Sequence, residues 1–346
     1  MTVISWSSFL LLGMMTFSVV GLLTPLMRKV AVRHEVVDTP TESHKTHKLP
    51  VPYLGGVAII LGIIFVTYLV SVLSKFTKNT ILLASSILIP ALVMGIVGLV
   101  DDIRKLKPWP RFLMQTFFGL AISFTLVITN TLGSPFGIVW IDVPLTTLWI
   151  VGITNAVNFF DNIDGGASGA ISISAFFLFF LSLQSGQTLI ASMSIVVAGA
   201  TSGFLLWNKP PARIYMGDAG ALFLGVLMAS LTTRFDPSPI DRFASYSIPI
   251  LLLAIPIMDT SVAVLSRVQR GISPFQGGQD HLSHRLIKIG CSKKQAVLIL
   301  WMMTVFFCLM ATAISYATDS LEKPLLILTF LTWTIASIYF FLLKPR

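Results

Sequence analysis

The stretch NAVNFFDNIDGGASG, running from Asn155 to Gly169, joins two apolar runs at 143–157 and 168–185. It gathers two carboxylates (Asp161, Asp164), three carboxamides (Asn155, Asn158, Asn162) and a Gly-Gly pair where the apolar pattern breaks. Polar groups this dense beside hydrocarbon are costly unless they meet a partner, so the stretch reads as a site. Helical spacing places Asn158, Asp161 and Gly165 on one face. Gly165, Gly166 and Gly169 mark a break or a tight approach there.

Working outward, the chain has 346 residues, of which 55% are hydrophobic and 11% charged. A soluble domain needs about a quarter of its residues charged, so this composition reads as an all-α polytopic membrane protein. A β-barrel would show alternating segments of about ten residues, and these runs do not alternate. Eleven apolar runs lie near 6–27, 52–73, 80–99, 111–130, 143–157, 168–185, 188–207, 217–233, 247–267, 293–316 and 323–342. They are read as one domain, 1–346. The first is long enough to span and lacks the basic start of a cleavable signal.

Eleven spans with the N-terminus outside place 19 of the 24 Lys and Arg in inner loops and the tail. Lys75, Lys78, Arg234, Arg242 and Lys323 remain outside. That bias predicts an N-out, C-in orientation. The basic charge then faces anionic lipid head groups and cytosolic nucleotides, with no nucleic-acid partner implied. Asp101, Asp102, Asp161, Asp164, Asp218 and Asp280 fall on the same face. Cys291 and Cys308 give neither a disulfide framework nor a metal site.

Four further motifs share that face. DTPTESHKTHKLPVPYLGG (38–56) holds Lys45 and His47 before Gly55-Gly56. It reads as a phosphate-facing loop or as an ordinary basic loop ending at a Gly-rich span entry. GLVDDIRKLKPWPRFLMQ (98–115) pairs Asp101 with Asp102. Adjacent carboxylates call for a cation or shared proton, and the plainer reading is a helix end solvated by its own Arg and Lys neighbours. NKPPARIYMGDAG (208–220) carries Asn208, Arg213 and Asp218. Asp218 there is either a helix cap or a hard oxygen ligand for Mg²⁺. GGQDHLSHRL (277–286) groups His281, His284 and Arg285, which suits a diphosphate better than zinc, the plainer reading being an ordinary loop. Asp259, inside the ninth run, reads as a structural charge paired with Arg267 or an inner-loop cation.

Carboxylates that can hold Mg²⁺, with cations alongside, are the parts used for phosphoryl transfer. The acceptor must be reachable from the bilayer and the donor from the cytosol. In order, the motifs D-x-P…H-K-x-H…G-G, G-x-x-D-D, N-x-x-N-x-x-D-x-x-D-G, N-x-P-P-A-R-x-x-M-G-D-x-G and H-x-x-H-R-L resemble the polyprenyl-phosphate N-acetylhexosamine-1-phosphate transferases of the WecA/TagO type. Phospho-MurNAc-pentapeptide transferase is a more distant relative. The resemblance covers nearly the whole chain. It departs at Gly166, where the family usually has Leu, and at Ser283, where many relatives have His.

The resemblance implies transfer of an N-acetylhexosamine 1-phosphate, GlcNAc-1-phosphate first, from a UDP-sugar to undecaprenyl phosphate. UMP is released, and a surface glycan such as a teichoic acid or O-antigen is begun at the bacterial cytoplasmic membrane. It implies Mg²⁺, with Mn²⁺ as a substitute. Asp218 matches the principal metal ligand, with Asp161 beside it. Asp101 and Asp102 match the pair that handles the lipid phosphate. Asp161 and Asp164, with Asn155, Asn158 and Asn208, match the nucleotide- and metal-side cluster. Lys45, His47, Arg213, His281, His284 and Arg285 match sites for phosphate and sugar. The apolar faces leave room for a homodimer contact.

A phosphate monoester is already mostly dianionic at pH 7, its second pKa being near 6. The expected step is therefore a direct, largely electrostatic displacement, with Asp102 positioning the acceptor or taking a residual proton. The alternative is a two-step route through a covalent Asp. The rival classes are a transporter, suggested by Asp259, and a scaffold that recruits glycan enzymes.

Overall fold

The computed structural model describes residues 6–38, 51–128, 136–237, 242–274 and 276–343. Within them the chain is helical except for one short ribbon. In order the elements are α1 (Trp6–Arg33), β1 (Val37–Asp38), β2 (Val51–Pro52), α2 (Gly55–Leu73), α3 (Lys78–Arg104), α4 (Pro108–Ile128) and α5 (Val139–Phe160). Then come α6 (Gly166–Gln184), α7 (Thr188–Asn208), α8 (Gly217–Arg234), α9 (Arg242–Leu252), α10 (Ala254–Gln269), α11 (Leu282–Lys288), α12 (Lys293–Ser315) and α13 (Asp319–Leu342). Nine of these helices are long and apolar enough to cross a membrane, which makes this a multi-pass membrane protein.

The eighth predicted run, 217–233, is α8, which is not among those nine. It is the core of the bundle: every residue from Ala219 to Thr232 is buried. It packs against α2, α3 and α5. Small residues make this possible. A Cβ on Gly56 of α2 would lie 2.1 Å from the backbone nitrogen of Gly220 in α8. At the periphery, α13 turns Leu328, Leu331, Ile335, Ile338 and Leu342 outward. An apolar solvent is what such a face requires.

The ninth predicted run is two helices. α9 and α10 meet at Leu253 with a bend of 75°. Pro256 lies in the first turn of α10, where a missing N–H costs nothing, but its ring obstructs the carbonyl of Leu252 four residues earlier. The helix reading of Asn158–Gly165 also needs correction. α5 stops at Phe160, Asp161 caps it, and Gly165 at φ 74 starts α6. Residues 161–165 form a turn between the two helices.

Helix ends gather at one end of the bundle: the C-termini of α3, α5, α7 and α10 and the N-termini of α4, α6, α8 and α12. At the other end, Arg234 closing α8 bonds Ser86 in the first half of α3. The antiparallel pair β1–β2 joins the gathered end, because Tyr215 N donates to Pro52 O at 2.9 Å.

Candidate active site

A cleft of about 590 Å³ opens among the gathered helix ends. Its walls carry Asp101, Asp102, Asn158, Asp161, Asp164, Asn208, Asp218, His281 and His284, all singled out from sequence. Lys45 and His47 lie outside the described residues.

Asp218 sits in the first turn of α8. Its Oδ1 accepts from Asn158 Nδ2 at 2.7 Å, and its Oδ2 accepts from Arg111 Nη1 at 2.6 Å. The same Arg111 nitrogen donates to Asp101 Oδ2 at 2.7 Å, while the backbone N–H of Leu106 holds Asp101 Oδ1 at 2.6 Å. One guanidinium thus bridges two carboxylates from different helices. Asp102 is committed elsewhere. Its oxygens accept from the backbone N–H groups of Asp218 at 2.8 Å and Ala219 at 3.0 Å. It therefore caps the open end of α8, satisfying amides that have no partner inside the helix. Asp102 also lines the cleft, where it was expected to position the acceptor or take its residual proton. Gly217 has φ +70, and a Cβ there would lie 2.6 Å from Asp102 Oδ2, so the cap requires glycine.

Asp161, half-buried, differs from its neighbours: no donor among the described residues bonds its carboxylate. Its withdrawal from water, with the charges of Asp218 and Asp164 adding to it, pushes its pKa up to about 7. Two neighbouring carboxylates that disfavour each other's ionisation, one of them without a donor, form a donor set suited to a hard divalent cation, which needs only one or two carboxylates. Among the described residues no group of three or more His, Cys, Asp or Glu forms a closed metal cage.

The remaining polar residues of the cleft wall also bond their neighbours. Asp164 Oδ2 accepts from Ala212 N at 3.1 Å and so holds the α7–α8 loop. Asn208, buried, accepts from Gly165 N and Ser168 Oγ and donates to Ile214 O. It ties α6 to that same loop. Asn162 donates to Asp259 Oδ2 at 3.2 Å and accepts from Ser283 Oγ.

Asp259 pairs with His281, not with Arg267: its Oδ2 is 2.7 Å from His281 Nδ1. Its Oδ1 accepts from Leu282 N at 2.7 Å. His281 Nε2 lies 3.2 Å from Arg267 Nη2, and a guanidinium only donates. Nε2 therefore accepts and Nδ1 carries the proton. Arg267 is held in turn by Asp280 at 2.9 Å. Burial, with the His281 ring beside it, pushes His284 down to about 4, so it is a neutral ring at pH 7.

Three predicted contacts fall outside the cleft. Arg285 is buried and turned away: Nη1 donates to the carbonyls of Phe340 (2.9 Å), Phe341 (3.2 Å) and Leu343, and Nε donates to Asp280 O. It caps the C-terminus of α13, where a cation is favoured by both the orphan carbonyls and the dipole. Asn155 bonds Gln115 Oε1 at 2.7 Å, between α5 and α4. Arg213 is exposed and lies over the Trp207 ring at 5.8 Å. Lys105, one of the cations expected beside the Asp pair, lines the cleft, as do Arg111, Tyr53, Tyr215 and Lys293, to which sequence reasoning gave no site role. The position of Arg111 one turn into α4, just after the Asp pair, was the available signal.

Comparison with known proteins gives the family. The glycosyl transferase family 4 model matches residues 84–236. A probable undecaprenyl-phosphate N-acetylglucosaminyl 1-phosphate transferase of Bacillus subtilis is 33% identical over 302 residues, covering 86% of this chain and 82% of that one. The decaprenyl-phosphate N-acetylglucosaminephosphotransferase of Mycobacterium leprae is 31% identical over 320 residues, covering 84% and 80%. The phospho-N-acetylmuramoyl-pentapeptide-transferase of Streptococcus uberis is 30% identical over 207 residues, covering 55% and 62%. The chain belongs to glycosyl transferase family 4.

Proposed function

We propose that this protein transfers N-acetylglucosamine 1-phosphate from UDP-GlcNAc to a polyprenyl phosphate in the bilayer, undecaprenyl phosphate in bacteria, and releases UMP. The observation that carries this reading is the meeting of Asp101, Asn158, Asp161, Asp218 and Arg111 in one cleft at a single end of a membrane bundle. The names of the relatives support the polyprenyl phosphate and the N-acetylglucosamine phosphate group, and the UDP carrier follows from the motif resemblance. The protein then crosses the inner membrane eleven times, N-terminus outside. The alternation of helix ends supports that count, with α8 as one crossing and α9–α10 as one bent crossing.

Asp218 and Asp161 would hold Mg²⁺ or Mn²⁺, which when bound supplies positive charge for the diphosphate. Arg111 and Lys105 add fixed positive charge on the same wall. Tyr53 and Tyr215, with ring centroids 6.1 Å apart and planes tilted by 53°, offer aromatic faces for the uracil. A lipid phosphate oxygen forms the new bond to the sugar-bearing phosphorus, and the bond from that phosphorus to the bridging oxygen breaks toward UMP. The acceptor enters as a dianion, so no strong base is needed. Asp259, the feature behind a transporter reading, serves His281 at the cleft.

Purified protein in detergent with undecaprenyl phosphate and Mg²⁺ tests this. UDP-GlcNAc, UDP-GalNAc and UDP-MurNAc-pentapeptide are offered separately and UMP is measured. UMP from UDP-GlcNAc, abolished by EDTA and by Asp218→Asn, is expected. No UMP from any donor with folded protein would sink the proposal.

A further inference from the structure

We propose that Arg111 is an internal counter-ion that occupies Asp218 in the cation-free protein and releases it when a divalent cation binds. This rests on the reading of Asp218 as the cation's ligand. Arg111 Nη1 lies 2.6 Å from Asp218 Oδ2, and Asn158 takes the other oxygen. A cation coordinating Oδ2 meets a guanidinium already there, of like sign and within contact distance. The two compete for one oxygen.

The bridge is asymmetric, which decides which half opens. Asp101 is 7% exposed, and its second oxygen is pinned by Leu106 N–H. Asp218 is 27% exposed and faces the cleft. Arg111 is 20% exposed, on a long flexible stem at the start of α4. Releasing Asp218 therefore leaves Arg111 tethered to Asp101, with its remaining donors free to turn toward the cleft. The counter-ion also explains how Asp101 and Asp218 sit side by side in the cleft before any cation arrives. Without Arg111 the carboxylates of Asp101 and Asp218 lose a shared partner that is only partly screened by water.

Mn²⁺ titration followed by electron paramagnetic resonance, on full-length protein without sugar nucleotide or lipid, tests the competition. Arg111→Gln is expected to bind Mn²⁺ on the order of tenfold more tightly than wild type, because one competing charge is gone. Asp218→Asn is expected to lose binding. Equal or weaker binding in Arg111→Gln, with binding still lost in Asp218→Asn, would overturn the counter-ion proposal and leave the ligand reading intact. Unchanged binding in Asp218→Asn would overturn the ligand reading and the proposal with it. Melting covers a variant too unstable for titration. Arg111→Gln should melt below wild type with EDTA, and saturating Mn²⁺ should close the gap. A gap that Mn²⁺ leaves unchanged counts against the proposal.

Discussion

Asp161 is the residue whose chemistry is most open to measurement. A carboxyl held up to about 7 keeps its proton where an ordinary Asp, near 3.8, has lost it. The folded state then binds that proton more tightly than the unfolded chain. The resulting stabilisation is fully present below the unfolded value and is lost as pH rises through about 7. In EDTA, wild type should therefore lose thermal stability between pH 5 and 8 more steeply than Asp161→Asn. Any cation that uses Asp161 must displace the proton, so Mn²⁺ affinity should rise with pH through about 7, and less steeply in Asp161→Asn. Isothermal titrations at pH 6, 7 and 8 measure this, and a flat profile would remove Asp161 from the ligand set. Arg285 sits at the other extreme. Arg285→Ala uncovers the carbonyls at the end of α13, at a cost of about 2 kcal/mol. It should lower the melting temperature while leaving the KM for UDP-GlcNAc unchanged; a raised KM with unchanged stability would return Arg285 to the cleft.

Among the elements, α8 carries the site, and two devices hold it. The first is Asp102 on its amides. Asp102→Ala leaves two N–H groups without their charged acceptor and should cost about 1.5–3 kcal/mol. It should also lower kcat, because Asp218 and the cap share one turn; single-turnover UMP release together with a melting curve reads both effects. The second is the Gly56–Gly220 crossing. Gly56→Val drives a side chain into the α8 backbone and should abolish folded protein on size-exclusion chromatography. Gly152→Val in α5, where an added Cβ meets nothing within 4 Å, should remain monodisperse. These devices mark the limit of what the sequence discloses. The helices were legible because hydrophobicity is local, and the cleft was legible because every acidic motif falls on the same side of the spans. Partner choice was not. Arg285 and His281 look alike in HLSHRL, yet one meets α13 some 55 residues on and the other meets Asp259. Gly55-Gly56 signalled close approach correctly, but the sequence did not say that Gly56 meets the backbone of α8. Nothing local to Pro249 or Pro256 distinguishes a kink from the 75° break between α9 and α10.

At the scale of the whole molecule, function depends on which side of the membrane the cleft faces, and the two cysteines can report it. Cys291 is partly exposed, in the turn between α11 and α12 at the cleft end; Cys308 is buried in α12. A membrane-impermeant maleimide reacts only with an accessible thiol. If the cleft is cytosolic, intact cells should leave Cys291 unlabelled, and inside-out vesicles should label it, with Cys308 silent in both. Ser185→Cys, exposed where α6 ends at the opposite face, supplies the control and should label in intact cells. Labelling of Cys291 in intact cells, with Ser185→Cys protected, would invert the molecule. The cleft would then face away from the cell's nucleotide pool, and a UDP-sugar could not be its donor. The same pair of thiols therefore tests the orientation implied by the positive charge and the reaction that depends on it.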